Sequence, residues 1–101
     1  MPATLHQLAL IEQSRGNYAE AKRMYRQSLE IECRHGRHSG IATTLAQLGR
    51  LAEEEGDLEL AERNYQEALQ MFRRIGAKAY FDLVERDLEH VKRLRSRKHR
   101  T

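Results

Sequence analysis

The chain repeats itself at a fixed distance. Residues 45–73 run through residues 5–33 again at an offset of 40, without a gap. Leu5 aligns with Leu45, Gln7 with Gln47, Leu8 with Leu48, Gly16 with Gly56 and Ala21 with Ala61. Arg23 aligns with Arg63, Tyr25 with Tyr65 and Leu29 with Leu69, and Gly36 falls on Gly76. Self-similarity at a period of 20–50 residues marks a stacked-repeat architecture. One unit cannot bury its apolar face alone, so units stack and most apolar side chains are committed to stacking.

The apolar spacing within each unit is helical. Leu5, Leu8, Ala9 and Ile11 predict a first helix over about 3–15. A second, over about 18–34, carries a stripe of Ala21, Met24, Tyr25, Ser28, Leu29 and Ile31. A third, over about 39–55, turns Ile41, Leu45, Leu48, Gly49, Leu51 and Ala52 inward, and a fourth, over about 58–75, does so with Ala61, Tyr65, Ala68, Leu69, Phe72 and Ile75. A fifth, over about 78–96, places Phe81, Val84, Leu88 and Val91 on one face. No run alternates with the strand period. Gly16, Gly36, Gly56 and Gly76 stand 20 apart, where the chain turns, and glycine supplies the left-handed residue that helix ends commonly need. Short turns make successive helices antiparallel neighbours, so the expected fold is all-α with five helices. Small residues at equivalent positions (Ala9 and Gly49, Ala21 and Ala61) let backbones approach, and Tyr25 and Tyr65 are expected to fill the space between helix pairs.

At 101 residues the chain is one domain or a piece of one. The single Cys33 forms no intramolecular disulfide, which favours a reducing, cytoplasmic setting. No 18-residue apolar run is present to span a membrane. Residues 1–10 lack a secretory leader pattern and open directly into a helical one, as a segment of a longer repeat protein would. The net charge of +3 is uneven. Six of the 18 Lys and Arg lie in residues 92–101 with no acid among them, which leaves 12 against 15 acids in residues 1–91.

These residues resemble the tetratricopeptide repeat. The second unit reads Leu45-x-x-Leu48-Gly49, Gly56-Asp57-Leu58, Ala61, Tyr65, Ala68-Leu69, and the first reads Leu5-x-x-Leu8-Ala9, Gly16-Asn17-Tyr18, Ala21, Tyr25, Ser28-Leu29. The match is gapless in both units and covers about residues 3–75. It departs from the family pattern in several places. Leu stands where Trp is usual, Glu12 and Ala52 stand where an aromatic is common, and no Pro closes the second helix. The period is 40 against 34 in the common form. This long form is similar to the arrays of kinesin light chains and of bacterial multidomain regulators. The resemblance implies a right-handed superhelix with a concave face lined mainly by the first helix of each pair (the A helix). It also implies a scaffold that binds protein or peptide, without catalysis and without a cofactor. The expected organisation is repeat 1 over about 3–36, repeat 2 over about 41–76, a capping helix over about 78–96 and a basic tail over 97–101.

By the motif register the concave face carries His6, Gln7, Leu10 and Gln13 from the first unit, and Thr43, Ala46, Gln47, Arg50, Glu53 and Glu54 from the second. One subclass of the family grips a C-terminal carboxylate with Lys and Asn; His6, Leu10 and Gln47 occupy those positions here, so that clamp is absent. Cys33, His35 and His38 fall within six residues, but a structural zinc site wants four ligands and no second Cys or His pair stands nearby. No metal is expected. Phosphate-binding glycine loops and a nucleophile with an oxyanion segment are both missing, so no enzyme is expected. The stretch from Lys92 to Arg100 is the only nucleic-acid signal, a sequence-blind one without interleaved aromatics, and the alternative function it offers is a basic-tailed accessory protein that binds nucleic acid nonspecifically. The fifth helix suits a cap, with Glu85, Arg86, Glu89, Lys92 and Arg93 for its outer side, whereas the first helix has none. An apolar face left open tends to find a partner, so self-association through the N-terminal repeat is expected.

Overall fold

The computed structural model describes residues 4–98, which form α1 (Leu5–Ser14), α2 (Tyr18–Arg34), α3 (His38–Glu55), α4 (Leu58–Ile75) and α5 (Lys78–Lys98). Among the described residues there is no strand. Each helix packs chiefly on its neighbours in sequence: α1 on α2, α2 on α3, α3 on α4 and α4 on α5. This is a stack of helix pairs, as a chain built from one repeated unit requires.

Local chemistry sets the helix ends. Thr4 caps α1 in a reciprocal box with Gln7: the Gln7 amide donates to Thr4 Oγ1 at 3.2 Å, and the Thr4 amide donates to Gln7 Oε1 at 3.0 Å. Helix α1 thus starts at Leu5, and the expected start at Ala3 lies outside the described residues. Asp57 caps α4 by accepting from the Leu60 amide at 3.2 Å. Helices α3 and α4 stop at Gly56 (φ 85°) and Gly76 (φ 73°), in the left-handed conformation that glycine adopts without a Cβ penalty. Helix α5 runs two residues beyond its expected end at Ser96. Arg97 and Lys98 therefore belong to its last turn, where cations favour the helix dipole. Residues 99–101 of the expected tail lie outside the described residues.

The core has two parts. Ala9, Ala21 and Tyr25 of the first pair pack with Leu48 and Leu51 of α3. Tyr65, Ala68 and Phe72 of α4 pack with Ala42, Leu45 and Ala52 of α3 and with Val84, Leu88 and Val91 of α5. Helix α3 is shared by both and is buried on two sides. The offset of 40 continues into α5, where Val84, Leu88 and Val91 stand at the positions of Thr44, Leu48 and Leu51. Helix α5 thus packs on α4 with the register positions that α3 uses on α2. Two residues expected inside, Ile31 and Ile75, are exposed. Ile75 ends α4, and Ile31 lines an open groove beside His6 and Arg37.

Tyr25 and Tyr65, expected between helix pairs, also close the pair they belong to. The Tyr65 ring lies on Gly49 so closely that a Cβ there would sit 2.7 Å from its Cδ1 and Cε1. Its hydroxyl donates to Glu53 Oε2 at 2.9 Å, and Tyr25 donates to Gln13 Oε1 at 2.8 Å, the same bond 40 residues earlier.

Candidate interaction groove

Two grooves open on the A-helix side, at successive junctions of the stack. The first, of about 470 Å³, lies among α1, α2 and α3, with His6, Ile31, Glu32, Arg37, Gly40 and Thr43 on its walls. The second, of about 140 Å³, is lined by Thr43, Ala46, Gln47 and Arg50 of α3, Phe72 of α4, and Tyr80, Leu83 and Val84 of α5. They are one groove met twice. His6 corresponds to Ala46, Glu32 to Phe72, Gly40 to Tyr80 and Thr43 to Leu83.

Their floors differ in chemistry. In the first, Glu32 lies over Gly40, where a Cβ would collide with its carboxylate, and accepts a 2.6 Å hydrogen bond from the fully buried Thr44 hydroxyl. In the second, Phe72 stacks on Tyr80 with centroids 5.5 Å apart and planes 14° from parallel. Tyr80 and Leu83 remain open to solvent at 60% and 44%.

Polar side chains line the C-terminal half of the same face. Arg50 Nη2 stands 3.5 Å from Asp87 Oδ2, and His90 Nε2 stands 3.6 Å from Glu53 Oε1, both pairs bridging α3 and α5. Burial, helped by the charge of Glu54, pushes the Tyr25 hydroxyl up to about 12. Tyr65 is raised further, first by burial and then by its bond to the Glu53 carboxylate. Both rings stay neutral donors across the physiological range.

The tetratricopeptide repeat family model matches residues 1–74. The chain belongs to the tetratricopeptide repeat family. No curated protein and no solved structure matches it. Tetratricopeptide repeats are scaffolds of protein–protein interaction, which is the setting for the two grooves.

The repeat register placed ten residues on the concave face, and the structure sorts them. Thr43, Ala46, Gln47 and Arg50 come together in the second groove, and His6 lines the first. His6 also meets the Tyr25 ring edge-on at 5.5 Å. Gln7 is engaged in capping α1, and Gln13 and Glu53 accept the two tyrosine hydroxyls, so these three serve the fold. Thr43 donates back to the Ser39 carbonyl at 2.9 Å. Leu10 is 40% exposed on α1, and Glu54 is exposed on α3. The register stopped one helix short. Carried a further 40 residues it would have added Leu83, Asp87 and His90, the counterparts of Thr43, Gln47 and Arg50. Among the described residues, no three His, Cys, Asp or Glu side chains converge on a metal-sized site, and no helix is long and apolar enough to cross a membrane.

Proposed function

We propose that this repeat binds a segment of a partner protein in the groove between α3 and α5. The observation that carries the reading is the lining of that groove. Its apolar end, Tyr80, Leu83 and the rim of Phe72, suits one apolar partner side chain. Gln47 and the half-exposed Arg50 stand on the same wall and suit the polar backbone of a bound segment. Catalysis has no part in the reading. The lone, exposed Cys33 suits a cytoplasmic, reducing setting. Self-association would use Leu8 and Ile11 of α1, exposed at 38% and 46%.

The nucleic-acid alternative is weakened by the fate of its cations. Arg95 is tied to Glu62 on α4, so part of the basic stretch holds the stack together. Deleting residues 92–101 would break that contact, and neutralising Arg93 and Arg97 is the cleaner discriminator.

The test is affinity capture from native lysate, with and without nuclease, using the intact chain and its Leu83→Asp, Arg50→Glu and Arg93→Gln/Arg97→Gln variants. A defined protein that survives nuclease and is lost with Leu83→Asp and Arg50→Glu supports the groove. Recovery that vanishes with nuclease, or only with the arginine variants, overturns it in favour of nucleic acid.

A further inference from the structure

Glu32 is a half-buried carboxylate with one oxygen committed and one left over. Its Oε1 accepts the Thr44 hydroxyl at 2.6 Å, and its Oε2 lies over Gly40, in the groove of about 470 Å³ among α1, α2 and α3. Among the described residues no cation pairs with it. A carboxylate drawn partly out of water costs free energy unless a cation or further donors meet it. The fold does not require one at this place. At an offset of 40 the same positions hold Phe72, Tyr80 and Val84, and the packing there is apolar.

The rest of the lining identifies what would meet the free oxygen. Ser28 and Thr43 bring hydroxyls to the same groove, and Thr43 already donates to the Ser39 carbonyl, so its oxygen is left to accept. An ammonium has three donors and no acceptor, which suits the set of Glu32, Ser28 and Thr43. A guanidinium fork wants both oxygens of a carboxylate, and Thr44 holds one of them. Leu5 and Ile31 add apolar wall for a methylene stem. Residues 1–91 carry 15 acids against 12 Lys and Arg, a balance that draws a cationic partner.

We infer that the groove among α1, α2 and α3 seats a lysine side chain of the bound partner segment, its ammonium on Glu32 Oε2. Thr43 lines both grooves, so a segment with an apolar side chain at Tyr80 and Leu83 passes directly into this one. The inference rests on the α3–α5 reading and adds a second anchor to it: the partner carries an apolar residue and a lysine a few residues apart. An acidic segment fits less well. It would have to use Arg37 or His6, and an anion held by either would share the groove with Glu32. The His6 ring is also engaged edge-on with Tyr25.

The test selects a random-peptide phage library on the intact chain and measures the enriched peptides by fluorescence anisotropy. The expected pool carries an apolar residue and a lysine at one fixed spacing. Replacing that lysine by arginine or acetyl-lysine should weaken binding about tenfold. On the chain, Glu32→Gln should weaken the lysine peptide about tenfold and bring it level with its acetylated form. Gln keeps an acceptor for Thr44, so the melting of this variant should match the parent. Arg37→Gln removes a like charge from the groove and should tighten binding about twofold. Leu83→Asp should abolish it. Peptides that are lost with Leu83→Asp but show no lysine preference, or that ignore Glu32→Gln, overturn the inference and leave the α3–α5 groove standing. Acidic peptides that weaken with Arg37→Gln overturn it in favour of an anionic partner. Lysine-dependent peptides that ignore Leu83→Asp keep the Glu32 seat and overturn the α3–α5 reading. A pool that fails to enrich overturns both.

Discussion

The α2–α3 and α4–α5 junctions occupy equivalent places in the repeat and share an apolar core, but their groove floors are built of opposite chemistry. The first places a carboxylate, Glu32, beside a buried hydroxyl, Thr44, and leaves room for it with Gly40. The second places Phe72 beside Val84 and stacks Tyr80 on it. One backbone arrangement therefore accepts a polar knot or an apolar one, provided the three positions change together. A satisfied polar pair and an apolar replacement of the same shape are often close in stability, while a mismatched half of either is costly. The repeat tolerates divergence in matched sets, and this divergence gives its two grooves different floors.

The largest expected effect comes from mixing the sets. Phe72→Glu puts a carboxylate where Val84 offers no hydroxyl and Tyr80 covers the site. Lost packing and a buried, unpartnered charge should cost about 3–5 kcal/mol, seen as a lower midpoint in urea denaturation. The reverse exchange should be milder. Thr44→Val leaves Glu32 without its donor, but that side chain is only partly buried, so about 1–2 kcal/mol is expected. The triple variant Glu32→Phe/Gly40→Tyr/Thr44→Val should recover most of that loss. If Phe72→Glu is no worse than Thr44→Val, the two floors are not the alternatives described here.

The tyrosine bonds give the next contrast. Tyr65 donates to a carboxylate and Tyr25 to an amide, and bonds to charged acceptors are the stronger. Tyr65→Phe should cost about 2 kcal/mol and Tyr25→Phe about 1 kcal/mol. The same rings set an alkaline limit. Their hydroxyls titrate above the unfolded value of 10.0, so the folded state binds more protons once pH passes that value. Their contribution is complete below pH 10 and declines as pH rises toward about 12 for Tyr25, and beyond it for Tyr65. Each ring should steepen the loss by about 1.4 kcal/mol per pH unit. Urea midpoints at successive pH values should show a shallower slope in the double Phe variant; an unchanged slope would exclude the rings as its source.

Most of the fold was legible because the repeat states each packing position twice. Ala21 with Ala61, Tyr25 with Tyr65 and Leu8 with Leu48 mark inward positions without knowledge of the partner helix. The pattern does not tell which copy has a neighbour, so Leu8 reads like Leu48 although one is exposed and the other buried. The candidate groove is half legible. The register alone brings Thr43, Gln47 and Arg50 to one helix face, whereas the contribution of Tyr80, Leu83, Asp87 and His90 depends on how α5 packs against α3 and α4. Gln7 and Gln13 show a further limit. A polar residue on the open face looks the same in sequence whether it waits for a ligand or serves a cap or a buried hydroxyl.

The smallest effect separates the two units at their tightest contact. Ala9 and Gly49 are equivalent, and both face a buried tyrosine of their own pair. On helix propensity alone Gly49→Ala should stabilise α3 by about 1 kcal/mol. The new methyl would lie 2.7 Å from the Tyr65 ring, which is fully buried and fixed by its bond to Glu53. Overpacking of this kind costs about 1–3 kcal/mol, so the propensity gain offsets only part of it and a net loss of about 1 kcal/mol is expected. Ala9→Gly should lose a similar amount through propensity, without relieving any clash. In Tyr65→Leu the ring is gone, and there Gly49→Ala should become stabilising. A thermal-melt double-mutant cycle reads this coupling as a change of sign. Simple additivity would mean that the ring does not set the limit at Gly49, and that the first unit carries Ala9 for a reason other than a looser fit over Tyr25.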